Sequence, residues 1–407
     1  MSFGRSTHRL PRLAEVPPVG EMSPEMSAEV SPEISSLSMA PVADSSPTTQ
    51  RNRAVTVSGG AWLSNLRLAV LASIADYVAT QRTALDVAGF DAAGDLLEEF
   101  VSRGKCLRST FMYLGWLSGA APSSAALSAA ASLELLHAFA LLQDDVMDQS
   151  SERRGLPAAH VKLARWYRES GLSGSAERFG ESAATLLGDM CLIWAEQMLR
   201  ESGIDAHRLQ RIWPRYDAMR IELAVGQFGD LASDVRDLPS LDAVLDVARR
   251  KSGNYTVRRP LEIGAAMAGC DDRTLAQLGR YGAAVGEAFQ LRDDLLGVFG
   301  SPAITGKPSG GDLLERKATS VVVTAHHLAD EPARLRLVEL VNSDDLDETQ
   351  LDCFKTLIVT TGAAQRIEDM IGHRVELARN ALDELAIDDA VQRALDDLAV
   401  ACAKRSA

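Results

Sequence analysis

Two aspartate clusters, Asp144-Asp145-Val146-Met147-Asp148 and Asp293-Asp294-Leu295-Leu296-Gly297, lie far apart in the chain, each inside a helix-like and largely apolar run. Carboxylates taken out of water need a cationic partner or a metal, and adjacent acids also repel one another. A helical core that carries both clusters at its mouth makes physical sense when divalent cations bridge them to a still more negative ligand. Hard oxygen donors suit Mg2+, which keeps several waters and binds through a few carboxylates together with substrate phosphates.

Along the run from Leu133 to Asp148, residues His137, Leu141, Asp144 or Asp145, and Asp148 recur at intervals of three or four. That spacing predicts one broad helix face bearing an imidazole, an apolar step and a carboxylate rim. Basic residues answer the acids. Arg153 and Arg154 open Arg153-Arg154-Gly155-Leu156-Pro157, after a polar stretch whose Gly and Pro are expected to end the helix, so both guanidinium groups can turn back over a diphosphate. Lys105 and Arg108 lie in Arg103-Gly104-Lys105-Cys106-Leu107-Arg108, Lys251 opens Lys251-Ser252-Gly253-Asn254-Tyr255-Thr256, and Lys307 and Lys317 flank a Gly- and Pro-rich loop beyond the second cluster. Arginine's planar fork matches phosphate oxygens, whereas lysine is a mobile point charge. Taken singly, these residues have plainer readings: His137 as a core histidine, Arg153-Arg154 as a solvated pair, Lys105 and Arg108 as a helix start, Lys251 as the end of a basic run, Lys317 as a loop lysine. Asp189 reads as structural.

Together the motifs resemble the trans-type polyprenyl diphosphate synthase family, most nearly its bacterial geranylgeranyl diphosphate synthases, from Ala84 to Thr319. The paired clusters, Arg153-Arg154-Gly155-x-Pro157, Phe289-Gln290-x-x-Asp293-Asp294 and Gly306-Lys307-Pro308 occur in the family's order. The resemblance implies an all-α isoprenoid synthase fold, a helical bundle around a deep central cavity with the clusters on opposing helices. It implies three Mg2+ ions per site holding an allylic diphosphate, with Asp144, Asp148 and Asp293 as direct ligands. Asp145 counts with the metal set too and, like Asp294, orients ligands or metal-bound water. Lys105, Arg108, His137 and Arg154 match the pocket for isopentenyl diphosphate. Arg153, Lys251, Lys307 and Lys317 match the clamp on the allylic diphosphate, with Gln290 and Ser252 nearby, and Lys251 joins the five aspartates as catalytic. Where the family usually has Arg and Pro, this chain has Cys106 and Ser109; where it commonly has a last aspartate in the second cluster, this chain has Gly297.

The activity implied by the resemblance is that of an Mg2+-dependent enzyme condensing isopentenyl diphosphate with dimethylallyl, geranyl or farnesyl diphosphate. Phe139, five residues before Asp144, with the small Ala140 beside it, points to a geranylgeranyl product. A farnesyl or longer-chain synthase is the alternative. A class I terpene cyclase would not need Lys105, Arg108 and His137 for a second diphosphate, and a non-catalytic partner subunit would be expected to lose one acidic cluster. The family also implies a homodimer.

Residues 61 to 407 leave 347 positions, enough for one large helical domain, and 46% hydrophobic residues with 5% aromatics predict a Leu, Ala and Val core. A net charge of -14 argues against a nucleic-acid partner, while local Arg, Lys and Mg2+ reverse the potential in the cavity. The first 50 residues hold 10 Ser and 7 of the 15 Pro, so residues 1–58 are expected to be a disordered arm before a catalytic domain at 59–407. No apolar stretch reads as a signal or a membrane span, although an amphipathic product leaves room for transient membrane contact. Five scattered cysteines show neither zinc nor disulfide spacing and fit a reducing cytoplasm.

Overall fold

The computed structural model describes residues 56–57, 61–84, 90–232, 238–300, 310–343 and 346–404. The arm expected at 1–58 therefore lies outside the described residues save for Thr56 and Val57, and Lys307 lies outside them too. Among the described residues the chain is all-α apart from one short hairpin. Its first half comprises α1 (Trp62–Ala84), α2 (Phe90–Val101), α3 (Leu107–Leu117), α4 (Ser124–Met147), strands β1 (Glu152–Arg153) and β2 (Leu156–Pro157), α5 (Ala159–Glu169), α6 (Ala176–Arg200), α7 (Ala206–Gln210) and α8 (Trp213–Leu231). The second half comprises α9 (Leu241–Ala248), a π-helical segment (Arg249–Arg258), α10 (Arg259–Ala268), α11 (Asp272–Phe299), α12 (Gly311–Leu314), α13 (Ser320–Leu328), α14 (Glu331–Val341), α15 (Glu348–Thr360), α16 (Ala363–Asp383) and α17 (Asp389–Lys404).

Helix starts follow from local chemistry. Ser123, Ser175, Ser240, Asp271, Thr319 and Asp330 each accept a backbone N–H from the first turn, satisfying a donor that the helix itself leaves orphaned. The central element is α4. It is long and apolar enough to cross a bilayer by composition, but most of that stretch is buried among α1, α3 and α6 through Leu127, Ala130, Leu133 and Leu136. Small Ala side chains let those helices approach closely, which explains a core built with so few aromatics. A second core joins the C-terminal half of α11 to α13, α14, α15 and α16 through Leu291, Val298, Val322, Leu337, Phe354 and Ile367.

The end of α4 differs from the sequence expectation. Helix α4 stops at Met147, with Asp148 as its cap, well before Gly155 and Pro157; those two residues shape a β-hairpin instead of stopping the helix. The carboxylate rim is thus the last turn of α4 itself.

Candidate active site

The end of α4 places Asp144 and Asp148 one turn apart and half-buried, with Asp145 fully buried behind them. The β-hairpin returns directly to these acids. Register Glu152 to Pro157 and Arg153 to Leu156 leaves Arg154 and Gly155 as a two-residue turn with φ of 55° and 71°. Positive φ at both central residues is the geometry of a type I′ turn, whose twist matches paired strands. Arginine rarely adopts it, so the conformation marks a position held for its side chain. The turn delivers Arg153 onto the cluster: Nη2 lies 3.0 Å from Asp144 Oδ2, and Nε donates to Asp145 Oδ1 at 2.7 Å.

Lys251 arrives from the π-helical segment. A π turn inserts an extra residue and re-aims the side chains around it, and such segments concentrate at functional sites. Lys251 Nζ lies 3.3 Å from Asp144 Oδ1 and donates to Asp230 Oδ2 at 2.6 Å, while Ser252 beside it is half-buried. The segment presses on α8 at Gly226, where a Cβ would stand 2.7 Å from Lys251 Cα. Burial alone would raise the Asp144 carboxyl, but Lys251 and Arg153 outweigh it and hold it below the usual carboxylate range. Burial raises Asp145 despite Arg153, and burial together with Asp144 raises Asp148.

The second cluster divides its labour. Asp293 is exposed, whereas Asp294 is buried and accepts from Ser320 N at 3.0 Å, Ser320 Oγ at 2.6 Å and Gln290 Nε2 at 2.8 Å. Asp294 thus fixes the start of α13, and the Gln290 amide acts through it. Just before α13, Lys317 reaches Glu315 at 2.7 Å and Asp148 at 3.7 Å, so the segment anchored by the second cluster arrives at the first.

A second basic pocket adjoins the upper part of α4. Arg108 donates to Thr256 Oγ1 at 3.0 Å and lies 4.3 Å over the Tyr255 ring, whose centroid is 6.3 Å from that of His137. Arg108 Nε, His137 Nδ1 and Tyr255 OH are all buried without a hydrogen bond. An unsatisfied buried donor is costly, so these three neighbouring atoms could serve a polar ligand. Burial and the charges of Arg108 and Arg154 push the His137 imidazole well below its ordinary value, so it faces these cations neutral. Burial and Arg153 lower Arg154 as well. Lys105 is exposed at the rim. Ser109 donates through N and Oγ to buried Glu134 at 3.2 and 2.7 Å; a proline there could make neither bond.

Would these residues hold a metal? Among the described residues no three Asp, Glu, His or Cys side chains converge into an all-protein metal cage. Yet Asp144 Oδ1 and Asp145 Oδ2 are buried without a hydrogen bond. The Asp145 oxygen without a partner, and the Asp144 oxygen that only the Lys251 ammonium addresses, fit an ion that completes its shell with water and phosphate oxygens.

Tyr255, Asp230 and Glu134 escape a reading of the sequence. The aromatic inside the Lys251–Thr256 run is the available signal for Tyr255; the others act through partners remote in sequence. Phe139 and Ala140 are half-buried on α4. One turn beyond Phe139, Gln143 donates to Thr185 O and Asp189 Oδ1 of α6, both at 3.2 Å, which gives Asp189 the structural contact expected of it.

Comparison with known proteins identifies relatives of this fold. The polyprenyl synthetase family profile matches residues 92–357. A geranylfarnesyl diphosphate synthase from Aeropyrum pernix is 31% identical over 312 residues, 75% of this chain and 91% of that one. A (2E,6E)-farnesyl diphosphate synthase from Mycobacterium tuberculosis is 31% identical over 299 residues, 73% of this chain and 78% of that one. The crystal structure of geranylgeranyl pyrophosphate synthase from Corynebacterium glutamicum, complexed with isoprenyl diphosphate and magnesium, superimposes with a TM-score of 0.80 at 34% identity, covering 84% of this chain and 99% of that one. With a family profile matching more than half of the chain and a relative 31% identical over 75% of it, the chain belongs to the polyprenyl synthetase family.

Proposed function

We propose that this chain condenses isopentenyl diphosphate with an allylic diphosphate at the site between α4 and α11, giving mainly the twenty-carbon geranylgeranyl diphosphate. At the coarser level it is an Mg2+-dependent prenyltransferase of the isopentenyl diphosphate-condensing family. The observation that carries the two-substrate reading is the pair of basic pockets: Arg153 and Lys251 against the acids, and Arg108 and His137 beside Tyr255, with the charge of Arg154 acting on His137. A terpene cyclase has no use for the second pocket.

Asp144, Asp148 and Asp293 would hold the metal, three ions in our reading, and Mg2+ bound there would neutralise charge developing on the departing diphosphate. Arg153, Lys251, Lys307 and Lys317 grip that diphosphate, with Ser252 and Gln290 supporting. Asp145 keeps Arg153 aimed and Asp294 keeps α13 in place. Lys105, Arg108, His137 and Arg154 hold isopentenyl diphosphate so that its double bond attacks the allylic cation. Neutral His137 donates a hydrogen bond there without adding charge. The released diphosphate takes the final proton, and the Ala- and Leu-rich wall excludes the water that would trap the cation.

Relatives of equal similarity carry names for products of different length, so the product reading rests on Phe139. It lies five residues below Asp144, a rise of about 7.5 Å. Phe139→Ala opens the floor and is expected to shift the main product to longer chains. Chromatography of wild-type and variant products checks this; an unchanged distribution assigns the ruler elsewhere and removes the basis for the twenty-carbon product.

We also propose a cytoplasmic homodimer. Leu186 and Ile193 on α6, and Ile221, Val225 and Phe228 on α8, are large exposed apolar side chains at helical spacing, Phe228 being 74% exposed. Arg220 ties the two helices together through Glu196 at 2.9 Å. Exposed apolar side chains on two helices joined in this way suit a self-complementary interface. Sedimentation at micromolar concentration is expected to show a dimer and Phe228→Asp a monomer; a monomeric wild type refutes this reading.

A further inference from the structure

A helix leaves its first backbone N–H groups without intrahelical partners, and the residue before the first turn normally covers one of them with a Ser, Thr, Asp or Asn side chain on extended backbone. Helix α3 starts differently. Cys106 stands at that place in the left-handed region, at φ 52°, and its side chain makes no capping bond. The acceptor comes from another helix. Glu134 Oε1, on α4, accepts from Ser109 N, the third residue of α3, at 3.2 Å and from Ser109 Oγ at 2.7 Å, and both residues are buried. From α1, Arg67 Nε donates to Gly104 O at 2.6 Å. The stretch held between these two contacts, Gly104 to Ser109, carries Lys105 and Arg108.

Glu134 lies three residues before His137 on α4, and its charge acts on Arg154 of the hairpin and on Tyr255 of the π-helical segment. A carboxylate repels a diphosphate, so Glu134 is no ligand for one, and its presence beside this basic pocket is explained by the backbone that it holds. We infer that Glu134 is a positioning residue for isopentenyl diphosphate: it caps α3 from α4 and thereby fixes Arg108 over Tyr255 and against Thr256. The inference rests on the reading that the second basic pocket takes this substrate. Truncating Glu134 leaves a buried N–H of Ser109 without an acceptor, and the start of α3 must shift to satisfy it, taking Arg108 along.

The test varies each substrate of the purified full chain with the other saturating, and follows folding by circular dichroism. Glu134→Ala is expected to raise KM for isopentenyl diphosphate by about 10- to 30-fold, with kcat and KM for geranyl diphosphate within about threefold of wild type. Glu134→Gln keeps an acceptor oxygen in place and is expected to stay within about threefold in all three quantities. Ser109→Ala loses only the hydroxyl bond and is expected to raise KM for isopentenyl diphosphate alone, by about fivefold; it decides the matter if Glu134→Ala does not fold. An unchanged KM for isopentenyl diphosphate in Glu134→Ala, or in Ser109→Ala where only that variant folds, overturns the inference. So does an equal rise for both substrates, or a Glu134→Gln enzyme as impaired as Glu134→Ala. A wild type whose rate does not depend on isopentenyl diphosphate overturns the reading of the pocket, and this inference with it.

Discussion

Replacing Asp144 with asparagine will lower turnover by about a thousandfold at saturating Mg2+, roughly 4 kcal/mol of lost transition-state stabilisation. Asparagine keeps the shape and removes the charge that Lys251 and Arg153 both address. The fold will survive, because Arg153 retains Asp145 and Lys251 retains Asp230. Steady-state kinetics with circular dichroism measures both. Turnover within about threefold of wild type would mean that Asp144 does not hold the metal. Binding of Mg2+ is expected to weaken as well, since Lys251 and Arg153 then face the ion with one carboxylate fewer between them.

The second large effect comes from a residue with no chemistry of its own. Gly226→Ala on α8 places a methyl group 2.7 Å from Lys251 Cα and 2.9 Å from Arg250 C, both backbone atoms that cannot rotate aside. The π-helical segment must move, and Lys251 with it. A displacement near 1 Å at a positioning group costs about a hundredfold in rate, so we expect kcat to fall by that order. Helix propensity works in the other direction, since alanine favours the helix over glycine. Kinetics combined with thermal melting separates the two: loss of rate with a retained melting transition is the expected result. Full activity would show that the close approach at Gly226 does not set the position of Lys251.

The helices around the site are legible in the sequence because their signals are local. Periodicity alone puts His137, Leu141, Asp144 and Asp148 on one face of α4, and Ser or Asp caps fix the starts of α4, α6 and α11. The hairpin is not legible. Its turn is Arg154-Gly155, where a sequence signal would be Asn-Gly, and the strain at Arg154 is offset by the ties of Arg153 to half-buried Asp144 and buried Asp145. The π turn is hidden for a different reason: one inserted residue changes the face that Lys251 presents without changing composition or polarity. Pairings such as Lys251 with Asp230, Ser109 with Glu134 and Gly297 with Asp312 join segments distant in the chain, so only the folded structure brings them together.

The decisive experiment uses radiolabelled isopentenyl diphosphate. Purified chain is incubated with it in the presence and absence of geranyl diphosphate, each with Mg2+ or with the metal chelated, and the organic products are separated after removal of the diphosphate. Two basic pockets beside one metal-binding rim predict label in a chain-extended product only when the allylic diphosphate and Mg2+ are both present. Consumption of geranyl diphosphate at the same rate without isopentenyl diphosphate, or no label in any extended product with all components present, would contradict it.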